Sequence, residues 1–240
     1  MAPLRSDPLA FSGPVVITID GPAGTGKSTV ARLLARRLGL DFLDTGAMYR
    51  AATLIVLERG LDLSRVDHLL DAVARANITF DWRDDPPAIL VGGQRVGGRI
   101  REPDVTELVS RVASVGPLRT VMVGMQREIA RQHPRLVTEG RDQGTVVFPD
   151  APMKFFLDAS PEVRAIRRAN QLRDLGMEGD VDRLLGEIVE RDRSDSQRHD
   201  GPLRCPRDAM RVDTSHLSLE QVVDRLEADC RAAFSASRSG

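Results

Sequence analysis

A doubly wound α/β fold is predicted by three observations: five short apolar runs, helical repeats between them, and a glycine-rich turn joining the first run to the first helix. The runs are Val15–Ile19, Asp41–Leu43, Leu136–Glu139, Met153–Leu157 and Met210–Val212. They look like the strands of one buried parallel sheet. The first run leads into Gly21 to Ser28, which reads Gly-Pro-Ala-Gly-Thr-Gly-Lys-Ser and fills every fixed position of a phosphate-binding loop. Glycines let the backbone turn its N–H groups inward onto phosphate oxygens, and the following helix adds the positive end of its dipole. The expected ligand is a nucleoside triphosphate, held by Gly21, Pro22, Ala23, Gly24, Thr25, Gly26, Lys27, Ser28 and Thr29. Lys27 and Lys154 are the only lysines among 34 basic residues. A lysine persists at the loop because a compact ammonium can follow a phosphoryl group where a planar guanidinium cannot.

Each helix has its own signals. Val30, Leu33, Leu34 and Leu38 share a face, and Gly39 offers a left-handed stop. Ser160 before Pro161 marks another start, and Ser218 with Gln221 forms a capping box for a last helix reaching about Phe234. The interval between the second and third core strands is too long for one crossover helix, so an insert is expected at about 62–114. Within it Asn77–Trp82 and Ala88–Val91 have strand character, with turns at Asp84 to Pro87, Gly92-Gly93 and Gly97-Gly98. A second excursion, 164–198, is dense in both charges and breaks at Gly176 and Gly179. It reads either as a solvated helical hairpin or as a cover that brings arginines over phosphates and excludes water. The core is then about 14–61, 115–163 and 199–234, with loose tails over 1–12 and 235–240.

Composition narrows the function classes. The chain has 240 residues, 41% of them hydrophobic, and a formal net charge of −1. That balance gives no general attraction to nucleic acid or to an anionic membrane. No stretch approaches the ~20 apolar residues of a membrane span, and the residues before Gly13 lack a long apolar core, so a cytoplasmic protein is expected. Cys205 and Cys230 form no C-x-x-C pair and are expected to be packing residues. His68, His133, His199 and His216 fall in no metal or nucleophile pattern.

Three further polar groups follow strands or helices. Asp44-Thr45-Gly46-Ala47-Met48-Tyr49-Arg50 follows the second strand, and Gly140-Arg141-Asp142-Gln143-Gly144 follows the third. Both lie at the carboxyl edge of the sheet, where α/β folds bind ligands. Arg191, Asp195 and Arg198 stand at i, i+4 and i+7 and share a helix face, as a surface ion-pair ladder also would. Ser28 is expected to reach the Mg²⁺ that accompanies the triphosphate.

Together IDGPAGTGKST at 19–29, DTGAMYR at 44–50, EGRDQGTVVFPDAP at 139–152 and ERD-x-x-D-x-x-R at 190–198 resemble the bacterial-type cytidylate kinases of the nucleoside monophosphate kinase family. The likeness spans about Pro14 to Phe234. It implies a P-loop kinase with a five-stranded parallel sheet flanked by helices, a monophosphate-binding insert containing a small antiparallel sheet, and a short helical lid. The implied reaction moves the γ-phosphoryl group of MgATP to CMP or dCMP in a monomer with no nucleic-acid or membrane partner. By the same resemblance Arg50 and Arg141 hold the acceptor phosphate, Arg119 and Asp142 read cytosine with Thr45 and Arg198 assisting, and Ser110, Arg191 and Asp195 approach the sugar. Lys27, Arg141 and Arg191 then carry the catalytic charge. Thr45 stands where relatives can carry serine, and Ser194 where some carry a basic residue; Arg164, Arg167 and Arg168 are left as lid candidates without assigned roles.

Overall fold

A computed structural model describes residues 13–174 and 176–236. Of the tails expected over 1–12 and 235–240, residues 1–12 and 237–240 lie outside the described residues. Strands β1 (Val15–Asp20), β2 (Asp41–Asp44), β6 (Arg135–Gly140), β7 (Met153–Asp158) and β8 (Met210–Asp213) form one parallel sheet in the order β2-β6-β1-β7-β8. These are the five runs predicted, each one or two residues longer. Between β2 and β6 lies a second, antiparallel sheet of β3 (Ile78–Asp81), β4 (Ala88–Val91) and β5 (Gln94–Arg95). The sequence pattern indicated only the first two of these strands.

Side chains of the parallel sheet alternate between two apolar clusters, as the pleat requires. Phe42 and Val137 pack with α1 (Lys27–Leu38) and α8 (Leu219–Ala236). Their neighbours Leu43 and Leu136 face α2 (Thr45–Arg59) and α5 (Gly116–Gln132), where the cluster continues into α3 (Val66–Ala76), α4 (Pro103–Val112) and the small sheet. The small sheet thus shares the core of the main body. Trp82, just past β3, stacks on His133 at the end of α5 with ring centroids 3.7 Å apart, and His133 Nδ1 lies 2.8 Å from Asp41. Helices α6 (Pro161–Asp174) and α7 (Val181–Gln197) form a hairpin with a separate small core of Ala165, Ala169, Leu184 and Ile188.

Capping follows the sequence closely. Gly39 closes α1 at φ 64°. Ser218 and Gln221 exchange reciprocal bonds at the start of α8, the Ser218 N–H donating to Gln221 Oε1 at 2.8 Å and the Gln221 N–H to Ser218 Oγ at 3.2 Å. Asp44 caps α2 by accepting from the Ala47 N–H at 2.8 Å, so the polar segment after β2 is the first turns of a helix. Two expectations need correction. Residues 235 and 236 belong to α8 and not to a tail, and Cys205 is exposed while Cys230 alone is packed.

Phe155 is fully buried in the central sheet. Its replacement by alanine is expected to lower the unfolding free energy by about 3–5 kcal/mol, read from urea curves of unchanged slope.

Candidate active site

The glycine-rich turn leaves β1 at Gly21, whose φ of 149° and neighbourhood admit no side chain: a Cβ there would collide with the Leu157 carbonyl oxygen. The chain then wraps Lys27 into the interior. Its Nζ donates to the Pro22 carbonyl of the same loop at 2.7 Å, and Thr25 Oγ1 donates to that oxygen at 3.1 Å. Burial first, and then the Arg141 charge, push the Lys27 ammonium down to about 7; Glu139 and Asp20 oppose this, and Arg191 adds to it. Ser28 donates to Glu139 Oε1 at 2.7 Å. Asp44 lies against the same Glu139, and burial followed by that neighbouring charge raises its carboxyl to about 7. Ser28, Glu139 and Asp44 therefore offer only oxygen, the donor chemistry of a hard divalent cation.

Beside the loop is a cleft with about 520 Å³ of empty space, lined by Thr45, Arg50, Ser110, Arg119, Arg141, Asp142, Arg191, Asp195 and Arg198. These are all nine residues that the sequence and its resemblance named, drawn from five elements and their loops. At one end Arg119 and Asp142 form a buried ion pair. Arg119 is fixed further by donating to the Ala113 carbonyl at 3.1 Å and by lying 5.3 Å over the Tyr49 ring. Arg141 Nε donates to Asp195 Oδ2 at 2.8 Å, and Arg198 pairs with the other oxygen of Asp195. Arg50 donates to Thr106 Oγ1 at 2.8 Å and to the Ile100 carbonyl at 3.1 Å. Burial and then Arg101 lower its guanidinium, with Arg168 and Arg141 contributing. Burial and then Arg141 bring Arg191 to about 10, and its Nε is buried without an acceptor among the described residues. Thr45 lines the cleft, with its hydroxyl donating to the Glu139 carbonyl at 2.7 Å.

Buried cations thus converge where the loop and the cleft meet. Lys27, Arg50 and Arg191 are each held below their ordinary values by burial and by neighbouring positive charge. A cluster so arranged gains most from multivalent anions entering from both sides.

Several contributors carried no local sequence signal. Glu139 reads as the last residue of an apolar strand. Gly201, at φ 59°, presses on the Arg119–Asp142 pair so closely that a Cβ would collide with both Asp142 Oδ2 and the Arg119 guanidinium. The lid arginines now divide by position. Arg164 turns inward, donating to the Ala159 and Ala23 carbonyls at 2.9 and 3.1 Å and pairing with Asp192 of α7 at 2.6 Å, so it ties the phosphate loop to the hairpin. Arg167 donates to Thr214 Oγ1 at 3.1 Å. Arg168 stays exposed on the side of Arg50.

Residues 17–231 match the family model described as cytidylate kinase. The cytidylate kinase of Mycobacterium avium (strain 104) is 47% identical over 216 residues, covering 90% of this chain and 95% of the relative. That of Azotobacter vinelandii is 44% identical over 221 residues, covering 91% and 96%. Among solved structures, a gluconokinase from Sinorhizobium meliloti 1021 superposes with a TM-score of 0.50 at 16% identity, covering 96% of this chain and all of the other. That likeness concerns the fold alone.

The depressed Lys27 has a measurable signature. Above pH 7 the empty loop holds a neutral amine, while a bound triphosphate favours the ammonium, so binding takes up a proton. Calorimetry of ATP binding at about pH 8 in buffers of different ionisation enthalpy is expected to detect uptake of up to about one proton, lost in Lys27→Met. The same group makes stability rise with pH between 7 and the ordinary lysine value of 10.5, because there the unfolded chain binds the proton the folded chain has released.

Proposed function

The chain belongs to the cytidylate kinase family, nucleoside monophosphate kinases that phosphorylate CMP or dCMP with ATP, and from that premise we propose how its residues divide the work. The loop from Gly21 to Thr29 holds the triphosphate of ATP, with Lys27 leaving the Pro22 carbonyl to follow the transferred phosphoryl group. Mg²⁺ accompanies ATP at Ser28, whose hydroxyl stands among the Glu139 and Asp44 carboxyls. The bound ion would neutralise charge on the phosphate oxygens.

Arg50 and Arg141 are assigned to the acceptor phosphate, where guanidinium forks match paired oxygens. The single observation that carries this reading is the convergence of buried cations, Arg141 and Arg191 on Lys27 and Arg50 on the same two arginines, which holds Lys27, Arg50 and Arg191 below their ordinary values. An acceptor phosphate is already anionic, so alignment and charge neutralisation suffice and no strong base is required. Lys27, Arg141 and Arg191 carry that charge in the transfer. Ser110, Arg191 and Asp195 are assigned to the sugar. At the far end Asp142 accepts from the exocyclic amine of cytosine while Arg119 donates to its ring nitrogen and carbonyl, with Thr45 and Arg198 assisting. Uracil presents a carbonyl where cytosine has the amine and would leave Asp142 facing an acceptor, which is the basis for rejecting UMP.

Residues 62–114 are taken as the monophosphate-binding insert and 164–198 as the lid. The protein is taken to be a cytoplasmic monomer without nucleic-acid or membrane partners. The near-neutral charge supports this, and no helix of the described residues is long and apolar enough to cross a membrane.

An ADP-release assay across CMP, dCMP, UMP, AMP and shikimate is expected to rank the cytidylates first; a higher rate with UMP or AMP would move the assignment to another kinase of this core. Asp142→Asn is the informative variant, since truncation to alanine would strand Arg119 in the interior at a cost of about 3–5 kcal/mol. The asparagine is expected to lower kcat/KM for CMP by about 2 kcal/mol while leaving the KM for ATP nearly unchanged. Joint binding of CMP and a non-hydrolysable ATP analogue is expected to shrink the radius of gyration as insert and lid close, read by small-angle scattering.

A further inference from the structure

The carboxylate of Asp20 is fully buried at the end of β1, one residue before the phosphate loop. It faces the loop that follows β6. The Gln143 N–H donates to its Oδ1 at 2.9 Å and the Gly144 N–H to its Oδ2 at 2.7 Å. These two N–H groups belong to the residues that directly follow Asp142. The same loop is held from its other side by the Gln143 side chain, which accepts from Thr138 Oγ1 at 2.9 Å and donates to Gln126 Oε1 at 3.0 Å. Gly144 leaves no slack, since a Cβ there would lie 3.0 Å from both Thr18 Oγ1 and Pro206.

Burying a carboxylate in the interior is costly unless it is hydrogen-bonded, and here the bonds are spent on one loop. Two converging N–H donors on adjacent residues fix a backbone much as a bound anion does. They hold the backbone just after Asp142, whose carboxylate pairs with Arg119 at the cleft.

Resting on the cytidylate reading above, we infer that Asp20 is a positioning residue for base selection: by gripping the Gln143 and Gly144 amides it sets where the Asp142 carboxylate meets the base. It does not touch the nucleotide itself. Because it also ends the strand that feeds the phosphate loop, donor cradle and base reader are fixed to one side chain. In Asp20→Asn the new side chain would offer one acceptor and one amino group to two donors, so the Gly144 or Gln143 amide would lose its partner and the loop would relax.

The test compares kcat/KM for CMP and UMP in the wild type and in Asp20→Asn. The expected result is a fall of about tenfold or more in the CMP-to-UMP ratio, the equivalent of one hydrogen bond to a charged acceptor, with a much smaller change in the KM for ATP. A purely structural role would lower both substrates' rates together and leave the ratio in place, and that result overturns the inference. A wild-type ratio near one would overturn the cytidylate reading and this inference with it, so the two failures are distinguishable.

The wild-type enzyme supplies a second readout that does not depend on the variant folding. Burial lifts Asp20 to about 7 against the pull of the Gly144 and Gln143 amides, with Asp142, Lys27 and Cys205 as the charged or titratable groups acting on it. Acidification from about pH 8.5 to about pH 5.5 is therefore expected to protonate it, weaken the grip and lower the CMP-to-UMP ratio. Ionisation of the monophosphate and of Lys27 is common to both substrates and cancels in that ratio. A ratio constant across this range overturns the inference.

Discussion

The register of the parallel sheet is the constraint on which the site rests. Asp20 pairs with Gly140 across β1 and β6, and Asp44 with Glu139 across β2 and β6. Three strands consequently finish level, and the chain turns out of each into a loop or helix beginning with polar residues. A shift of one residue in any of them would reverse every side chain along it between the two apolar clusters. The burial pattern that stabilises the fold is therefore the same pattern that brings Lys27, Thr45, Arg141 and Asp142 to a common rim.

Charge on that rim is organised by unequal compensation. Asp142 meets Arg119 and Asp195 meets both Arg141 and Arg198, so the polar groups at the base and sugar end are held by buried ion pairs before ligand arrives. Lys27, Arg50 and Arg191 make no close ion pair among the described residues, and burial first and then neighbouring positive charge lower their proton affinities. The two ends of the cleft are thus tuned to different tasks: one to recognise a neutral heterocycle by fixed hydrogen-bonding groups, the other to receive negative charge.

How much of this was legible in the chain depended on the distance over which each feature is encoded. The phosphate loop is entirely local, and its glycines, Lys27 and Ser28 could be named from spacing alone. Strands β1 and β7 announced themselves through predominantly apolar runs, broken only by Thr18 and Lys154 before their closing aspartates. Strand β5 has only the polar residues Gln94 and Arg95, so nothing but the neighbouring strand β4 reveals it. Arg119 and Ser110 lie on helices with no distinguishing local pattern, and only the resemblance to a known family pointed to them. Asp20, Glu139 and Gly201 were missed for a shared physical reason. Their roles depend on partners more than 50 residues away, as the contacts of Asp20 with Gln143 and of Gly201 with Asp142 illustrate. The Arg191–Asp195–Arg198 face was ambiguous for the opposite reason, because its helical spacing suits an exposed ladder equally well. Burial of Asp195 decides it.

The stacking of Trp82 on His133 gives the molecule a built-in optical gauge. The indole is the sole one in the chain, and it sits where the small sheet meets the end of α5, against an imidazole that is itself anchored to β2 through Asp41. Ring contact at this range quenches indole emission, and separation of the rings restores it. Any swing of the small sheet relative to the main sheet is thereby written into the intrinsic fluorescence of the native protein, with no label attached.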